Sequence, residues 1–230
     1  MRRLLHTLAA SVLAVALSAS APSALAQEEP GPTAPALDDV VQAVEATYKE
    51  VEAMQAHFEQ TVATAGMEQQ RSEGEVLFQR PRKMRWDFTG PEGSLFVTDG
   101  VEMWVYTRHL KQAIQYKELS QAASSIAPIE LQDLESLRDK WNVEVSTEEG
   151  SRKNNLVLIL TPKEQGRFPI KQVRLELSRK YVLETVAVTD SLDNLTTLRF
   201  TQVKLNPVVS DGSFSFEPPA DVEVIVAEGL

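Results

Sequence analysis

Apolar positions along this chain change their period at about residue 66. Before that point, Leu37, Val40, Val41, Val44, Tyr48, Val51, Met54 and Phe58 recur at spacings of three and four, with Asp38, Asp39, Glu45, Lys49, Glu50 and Glu52 mostly on the other face. The spacing predicts one long amphipathic helix over 37–58, with acids near its start as the helix dipole favours. After Gly66 the period is two. Val76, Phe78 and Arg80 share one face of a predicted strand, and Met84, Trp86 and Phe88 share one face of the next. Stretches 94–98 and 101–107 flank Asp99-Gly100, a hairpin signal. Further strands are predicted over 112–117, 141–146, 156–161, 172–177, 183–189, 196–205 and 213–216. So many short strands without intervening helices imply an antiparallel sheet, curved or closed. The exception is 119–140, which reads as helix broken at Pro128, with Ile126, Ile129, Leu131, Leu134 and Leu137 on its apolar side. The predicted class is α+β, mainly antiparallel strands, with two amphipathic covers for one sheet. No internal repeat or second domain is evident.

The ends and the composition then narrow the setting. Arg2 and Arg3 precede an apolar run from Leu4 to Leu17, and Ala24-Leu25-Ala26 supplies a small-x-small cleavage pattern. The run is too short to span a bilayer, so residues 1–26 are expected to be a cleaved signal peptide. Residues 27–36 (QEEPGPTAPA) read as a disordered lead-in, and 37–230 as one domain. Cysteine is absent from the sequence, which excludes disulfides, thiol nucleophiles and a lipid-anchoring cysteine. The expected location is the space beyond the inner membrane, in soluble form. Without residues 1–26 the chain holds 21 basic and 33 acidic side chains, a net charge of −12. Such a surface repels phosphate backbones, so nucleic-acid binding is not expected.

Catalytic and metal-binding patterns are not found. His57 falls on the predicted long helix and His109 in or near a turn, and neither has neighbours at a ligand spacing. The acidic pairs Asp38-Asp39 and Glu148-Glu149 read as solvated charge. No nucleophile elbow or phosphate-binding loop is present. The chain is therefore read as a non-enzyme without metal or cofactor.

What remains is apolar bulk on both faces of 95–97, 101–106 and 156–160, where a sheet with one wet face would alternate cleanly. Two readings stay open: a dry core covered on both sides, or a sheet wrapped around a cavity with the helices as its lid. Arg80 also carries two readings. It ends an apolar row and Pro81 follows it. It is either a snorkelling side chain or a latch whose fork of donors bonds carbonyls of a covering helix. Arg82, Lys83, Arg85, Arg108 and Lys111 extend a basic stretch near it. They read either as a solvated strand edge that deters pairing or as a docking patch for acidic partners.

Several residues carry a resemblance at this point. Phe58-Glu59-Gln60, Gly74-x5-Arg80-Pro81-x4-Trp86, Thr98-Asp99-Gly100-x3-Trp104-x-Tyr106 and Phe214-Ser215-Phe216-Glu217-Pro218-Pro219 followed by Val222 and Val224 stand in this order. The set, over about residues 37–226, resembles the outer-membrane lipoprotein carrier family. The resemblance implies an open, unclosed β-barrel covered by helices around an apolar cavity, with no cofactor. It implies a monomeric periplasmic chaperone that takes acylated lipoproteins from an inner-membrane ABC-transporter complex and passes them to an outer-membrane receptor lipoprotein. Arg80 falls on the family's lid-locking arginine. Trp86, Phe96, Trp104 and Tyr106 match positions lining or bordering the cavity, and Met84 stands where better-studied members carry phenylalanine. Val44, Tyr48, Ile126, Ile129 and Leu134, on the two helical covers, are expected to close it. The alternatives are a binding module for free lipid or glycolipid, or a sensor of mislocalised lipoproteins.

Overall fold

A computed structural model describes residues 36–90, 93–118, 134–146, 148, 150, 155–164 and 170–227. Its first element is α1, Leu37–Lys49, with Asp38 and Asp39 in the first turn and Lys49 in the last, the charge placement the dipole favours. Val40, Val41, Val44 and Tyr48 form its buried stripe. The helix is shorter than its periodicity predicts. Residues 51–58 belong instead to a bend and to strand β1, Ala53–Ala63. Met54, Ala56 and Phe58 are buried while Gln55 and His57 are less so, a period of two that also satisfies a spacing of four. His57 is thus on a strand, beside Glu75 across the β1–β2 pair at 3.3 Å.

The remaining strands are β2 Gln70–Gln79, β3 Lys83–Phe88, β4 Ser94–Thr98, β5 Met103–Thr107, β6 Gln112–Tyr116, β7 Trp141–Val145, β8 Leu156–Pro162, β9 Ile170–Leu177, β10 Leu183–Asp190, β11 Leu195–Leu205 and β12 Glu223–Ala227. They form one sheet in the order β12-β6-β5-β4-β3-β2-β1-β11-β10-β9-β8-β7. Neighbours are antiparallel except β12, which lies parallel to β6. β7 and β12 are the edges and do not pair with each other, so the sheet is open, as expected.

Differences from the predicted strands are local and have visible causes. Arg80 lies just past β2, in a turn with a cis Arg80-Pro81 bond. Val101 and Glu102 are in the hairpin turn rather than β5. Asp99 Oδ1 accepts the N–H groups of both residues at 2.8 and 3.0 Å, and Gly100 adopts φ 98°, a conformation that favours glycine. The strand predicted over 213–216 is a 3-10 turn at Asp211–Phe214. Local bonds from Ser213 N–H to Ser210 O and from Ser215 N–H to Gly212 O close it. Strand β12 went unpredicted. Most of the predicted 119–140 helix, with Ile126 and Ile129, lies outside the described residues. Its end contains Leu134 and a short helix α2, Leu137–Lys140.

The core lies on one face of the sheet. Val40, Val41, Val44 and Tyr48 of α1 join Phe58, Trp86, Leu158, Leu175 and Phe200, among others, in a single buried cluster. Leu134 and Leu137 belong to it as well. Strands from both halves of the sheet meet around α1, so the sheet wraps the helix. The opposite face carries a second, smaller cluster. There Leu95, Val97 and Phe214 are buried against Leu77, Trp104, Tyr106, Val209 and Phe216. The segment after β11 lies over this outer face as a strap before it returns as β12.

Candidate functional site

The joint between α1 and β1 is where the predicted latch residue acts. The Nε of Arg80 donates to Val51 O at 2.7 Å, and its Nη2 donates to Tyr48 O at 2.9 Å. Its Nη1 lies 3.0 Å from Glu135 Oε1, and the side chain is 18% exposed. One guanidinium therefore holds a last-turn carbonyl of α1 that also accepts Val51 N–H at 3.1 Å, the carbonyl of the following bend, and a carboxylate from the segment leading to α2. Charge-assisted bonds of this kind are worth about 1.5–3 kcal/mol each when well shielded, and partial exposure trims that figure.

Sequence reasoning missed two residues at this joint. Glu135 is one. Asn206, at the end of β11, is the other: its Oδ1 accepts Glu52 N–H at 2.8 Å and Ala53 N–H at 3.2 Å, and its Nδ2 donates to Glu50 O at 2.9 Å. An Asn-Pro pair such as Asn206-Pro207 marks a turn, but only the fold brings it next to residue 50. Tyr48 is fully buried, and its hydroxyl oxygen accepts Leu183 N–H at 2.8 Å. Burial pushes its phenol up to about 12.

The other expected cavity residues divide between the faces. Val44, Tyr48, Met84, Trp86 and Leu134 are together in the main cluster, and Phe96 packs against it. Trp104 and Tyr106 are not with them. They pair with Val97 and Leu95 on β4 and sit in the outer cluster, where both rings meet Phe216 at 5.6 and 5.3 Å. The expectation that they border the same interior as Trp86 is corrected by strand parity, which turns them the opposite way.

The interior has an open mouth. A cleft of about 1050 Å³ runs over the ends of β1–β4, lined by Phe88 and Phe96 together with Gln60, Ser72, Ser94 and other polar residues. Phe88 is in edge contact with Phe58 at 4.9 Å and with Phe96 at 5.6 Å, and Phe58 touches Trp86 at 4.8 Å. A row of aromatic rings thus leads from a polar rim into the core.

Most of the basic stretch is engaged within the protein. Lys83 Nζ lies 5.9 Å over the Phe214 ring, and Arg85 pairs with Asp87 at 3.2 Å. Arg108 donates to Phe88 O at 2.7 Å and also pairs with Asp87. Lys111 pairs with Asp221 at 2.7 Å, which raises the lysine's pKa and lowers the aspartate's. The Lys83 and Lys111 contacts fasten the strap to the outer face ahead of β12. Arg82 is exposed at the turn.

Comparison with known proteins decides the family. The family described as "Outer membrane lipoprotein carrier protein LolA" matches residues 49–217. The chain belongs to this family. The outer-membrane lipoprotein carrier protein of Nitrosomonas europaea is 30% identical over 172 residues, covering 74% of this chain and 81% of that one. The carrier of Methylobacillus flagellatus is 31% identical over 189 residues, covering 81% and 89%. Among solved structures, an uncharacterized conserved protein from Thermus thermophilus superposes with a TM-score of 0.52 at 12% identity. It covers 83% of this chain and 98% of its own, a likeness of fold alone. Among the described residues of this LolA-family chain, no helix is long and apolar enough to cross a membrane.

Proposed function

We propose that this LolA-family protein is a periplasmic chaperone that binds lipoproteins by their acyl chains and carries them toward the outer membrane. The observation that supports it most is the wrapped sheet: an apolar interior closed by α1, with an open mouth at one end and the Arg80 guanidinium among the groups that fasten the cover. Burying one methylene is worth about 0.8 kcal/mol, so an acyl chain of ordinary length offers on the order of 10 kcal/mol. A carrier must also let go. Breaking the bonds of Arg80 to Tyr48 O, Val51 O and Glu135 costs part of that gain, so Arg80 lowers net affinity and favours onward transfer.

In this reading residues 1–26 are removed on export. Cargo arrives from an inner-membrane ABC-transporter complex and leaves to an outer-membrane receptor lipoprotein, with exposed Arg82 as the cation available to an acidic partner surface. The chemistry is non-covalent: two packings of one apolar interior, with and without cargo. A direct test is binding of a synthetic triacylated lipopeptide against the same peptide without its acyl chains. The acylated form should bind as a one-to-one complex and the bare peptide should not. Equal binding of the two would refute an acyl-directed site.

A further inference from the structure

Three buried side-chain polar atoms among the described residues lack a hydrogen-bond partner: Trp86 Nε1, Trp141 Nε1 and Thr185 Oγ1. Burying a donor unpaired forfeits its hydration without return, and each such group in a native fold calls for an explanation. Thr185 pairs across the sheet with Glu176 and Arg199, away from the main apolar cluster. Trp141 lies on β7, an edge of the sheet. Trp86 is different because of what surrounds it. It is 2% exposed, with Phe58 at 4.8 Å, Phe78 at 5.6 Å and Phe200 at 6.4 Å. Its cross-strand partner on the same face is Phe96, and Phe88 follows it by two residues on β3. Both of those phenylalanines line the mouth. Trp86 is thus about 7 Å, one same-face step along a strand, inside the mouth.

An acylated cargo carries its acceptors at that depth. In a diacylglyceryl group the ester carbonyls sit at the head of each chain, between the polar backbone and the hydrocarbon. With polar atoms at the Gln60, Ser72 and Ser94 rim and hydrocarbon beyond Phe58 and Phe78, the carbonyls fall one step below the rim. We propose that Trp86 Nε1–H is a cargo-binding donor that hydrogen-bonds an ester carbonyl of the acyl group. The donor that finds no partner within the protein is then satisfied by the cargo. Trp86 would act as a depth gauge, seating the chain head at a fixed level. This inference rests on the acyl-carrier reading and adds a polar contact to it.

The test compares a diacylglycerol with its dialkyl ether analogue of equal chain length, which lacks the carbonyls. Affinities are read by displacement of an apolar fluorescent probe from the purified protein. The wild type should prefer the ester by about five- to tenfold, the range of one neutral hydrogen bond. Trp86→Phe, which keeps an aromatic ring but no donor, should bind both equally. Nitrogen-15 spectra of the wild type give a second reading that needs no variant. The Trp86 indole proton should shift downfield on saturation with the ester and move less with the ether. An ester preference that survives in Trp86→Phe, or an indole resonance indifferent to the carbonyl, would overturn the inference while leaving the carrier reading intact. Failure of the wild type to bind either lipid or a triacylated lipopeptide would overturn both.

Discussion

Arg80 joins three acceptors that belong to three different stretches of the chain. Replacing it with leucine takes the guanidinium from Tyr48 O, which keeps Val51 N–H, and from Val51 O, but adds apolar surface beside the interior, so cargo binding should persist. Hand-over should not: Arg80→Leu is expected to load acylated cargo at least as well as the wild type and to pass it on several-fold more slowly, as read in a two-step transfer assay. Arg80→Lys should be intermediate, since an ammonium lacks the guanidinium's planar fork. Tyr48 supports a separate prediction. In the unfolded chain its phenol ionises near 10, whereas burial holds it neutral to about 12. Between those values the folded state retains a proton that the unfolded state has lost. Stability should therefore fall as pH rises through that window, by up to about 1.4 kcal/mol per pH unit, with no pH dependence from this group below it. Tyr48→Phe should remove that slope, at a cost of about 1–3 kcal/mol at neutral pH for orphaning Leu183 N–H. Denaturant unfolding of both proteins on either side of pH 10 checks the sign. The sequence made carbonyl bonding by Arg80 a reasonable expectation, because a fork of donors beside Pro81 must find acceptors. It could not point to Glu135, since 55 residues of chain separate the pair.

At the scale of elements, the boundary between α1 and β1 was the hardest to read. Met54 and Phe58 are four apart, which suits a helix, and with Ala56 they are also two apart, which suits a strand. What ends the helix at Lys49 is tertiary: Arg80 binds Val51 O and Asn206 binds Glu50 O in the bend that follows. The strands from β3 to β11 were legible because turns such as Asp99-Gly100 bound short apolar-rich runs. The facing of Trp104 and Tyr106 was not, because β4 is apolar on both sides and the strap that covers its outer face comes from more than a hundred residues later. That strap can be tested. Phe214 is 5% exposed, and Phe214→Ala should cost about 3 kcal/mol or more, the usual loss for a buried phenylalanine, without changing lipopeptide affinity. Gly74 tests the inner face. A Cβ there would sit 2.1 Å from Asp87 O and 3.0 Å from the Phe58 ring. Gly74→Ala should part β2 from β3 and lower the thermal midpoint by at least several degrees, the shift expected for about 1 kcal/mol or more in a domain of this size.

At the scale of the whole molecule, one sheet serves as both wall and container. Its twelve strands leave β7 and β12 unpaired with one another, and an unclosed sheet can widen without breaking a ladder. A closed barrel could not take in a branched, bulky cargo so easily. The choice between dry core and cavity, open in the sequence, turns on this shape. In the structure the interior is filled by α1 and its partners, and the cleft lies at its mouth, so cargo entry must displace packed side chains. An open edge and a guanidinium bonded across the α1–β1 joint both suit that requirement. The measurement closest to the central claim is release of a newly made acylated lipoprotein from inner membranes in the presence of ATP. On adding the purified protein, the acylated cargo should appear in solution as a one-to-one complex, and a version that cannot be acylated should give no such complex. If acylated cargo stays on the membrane while the protein is folded and present in excess, the carrier account is wrong.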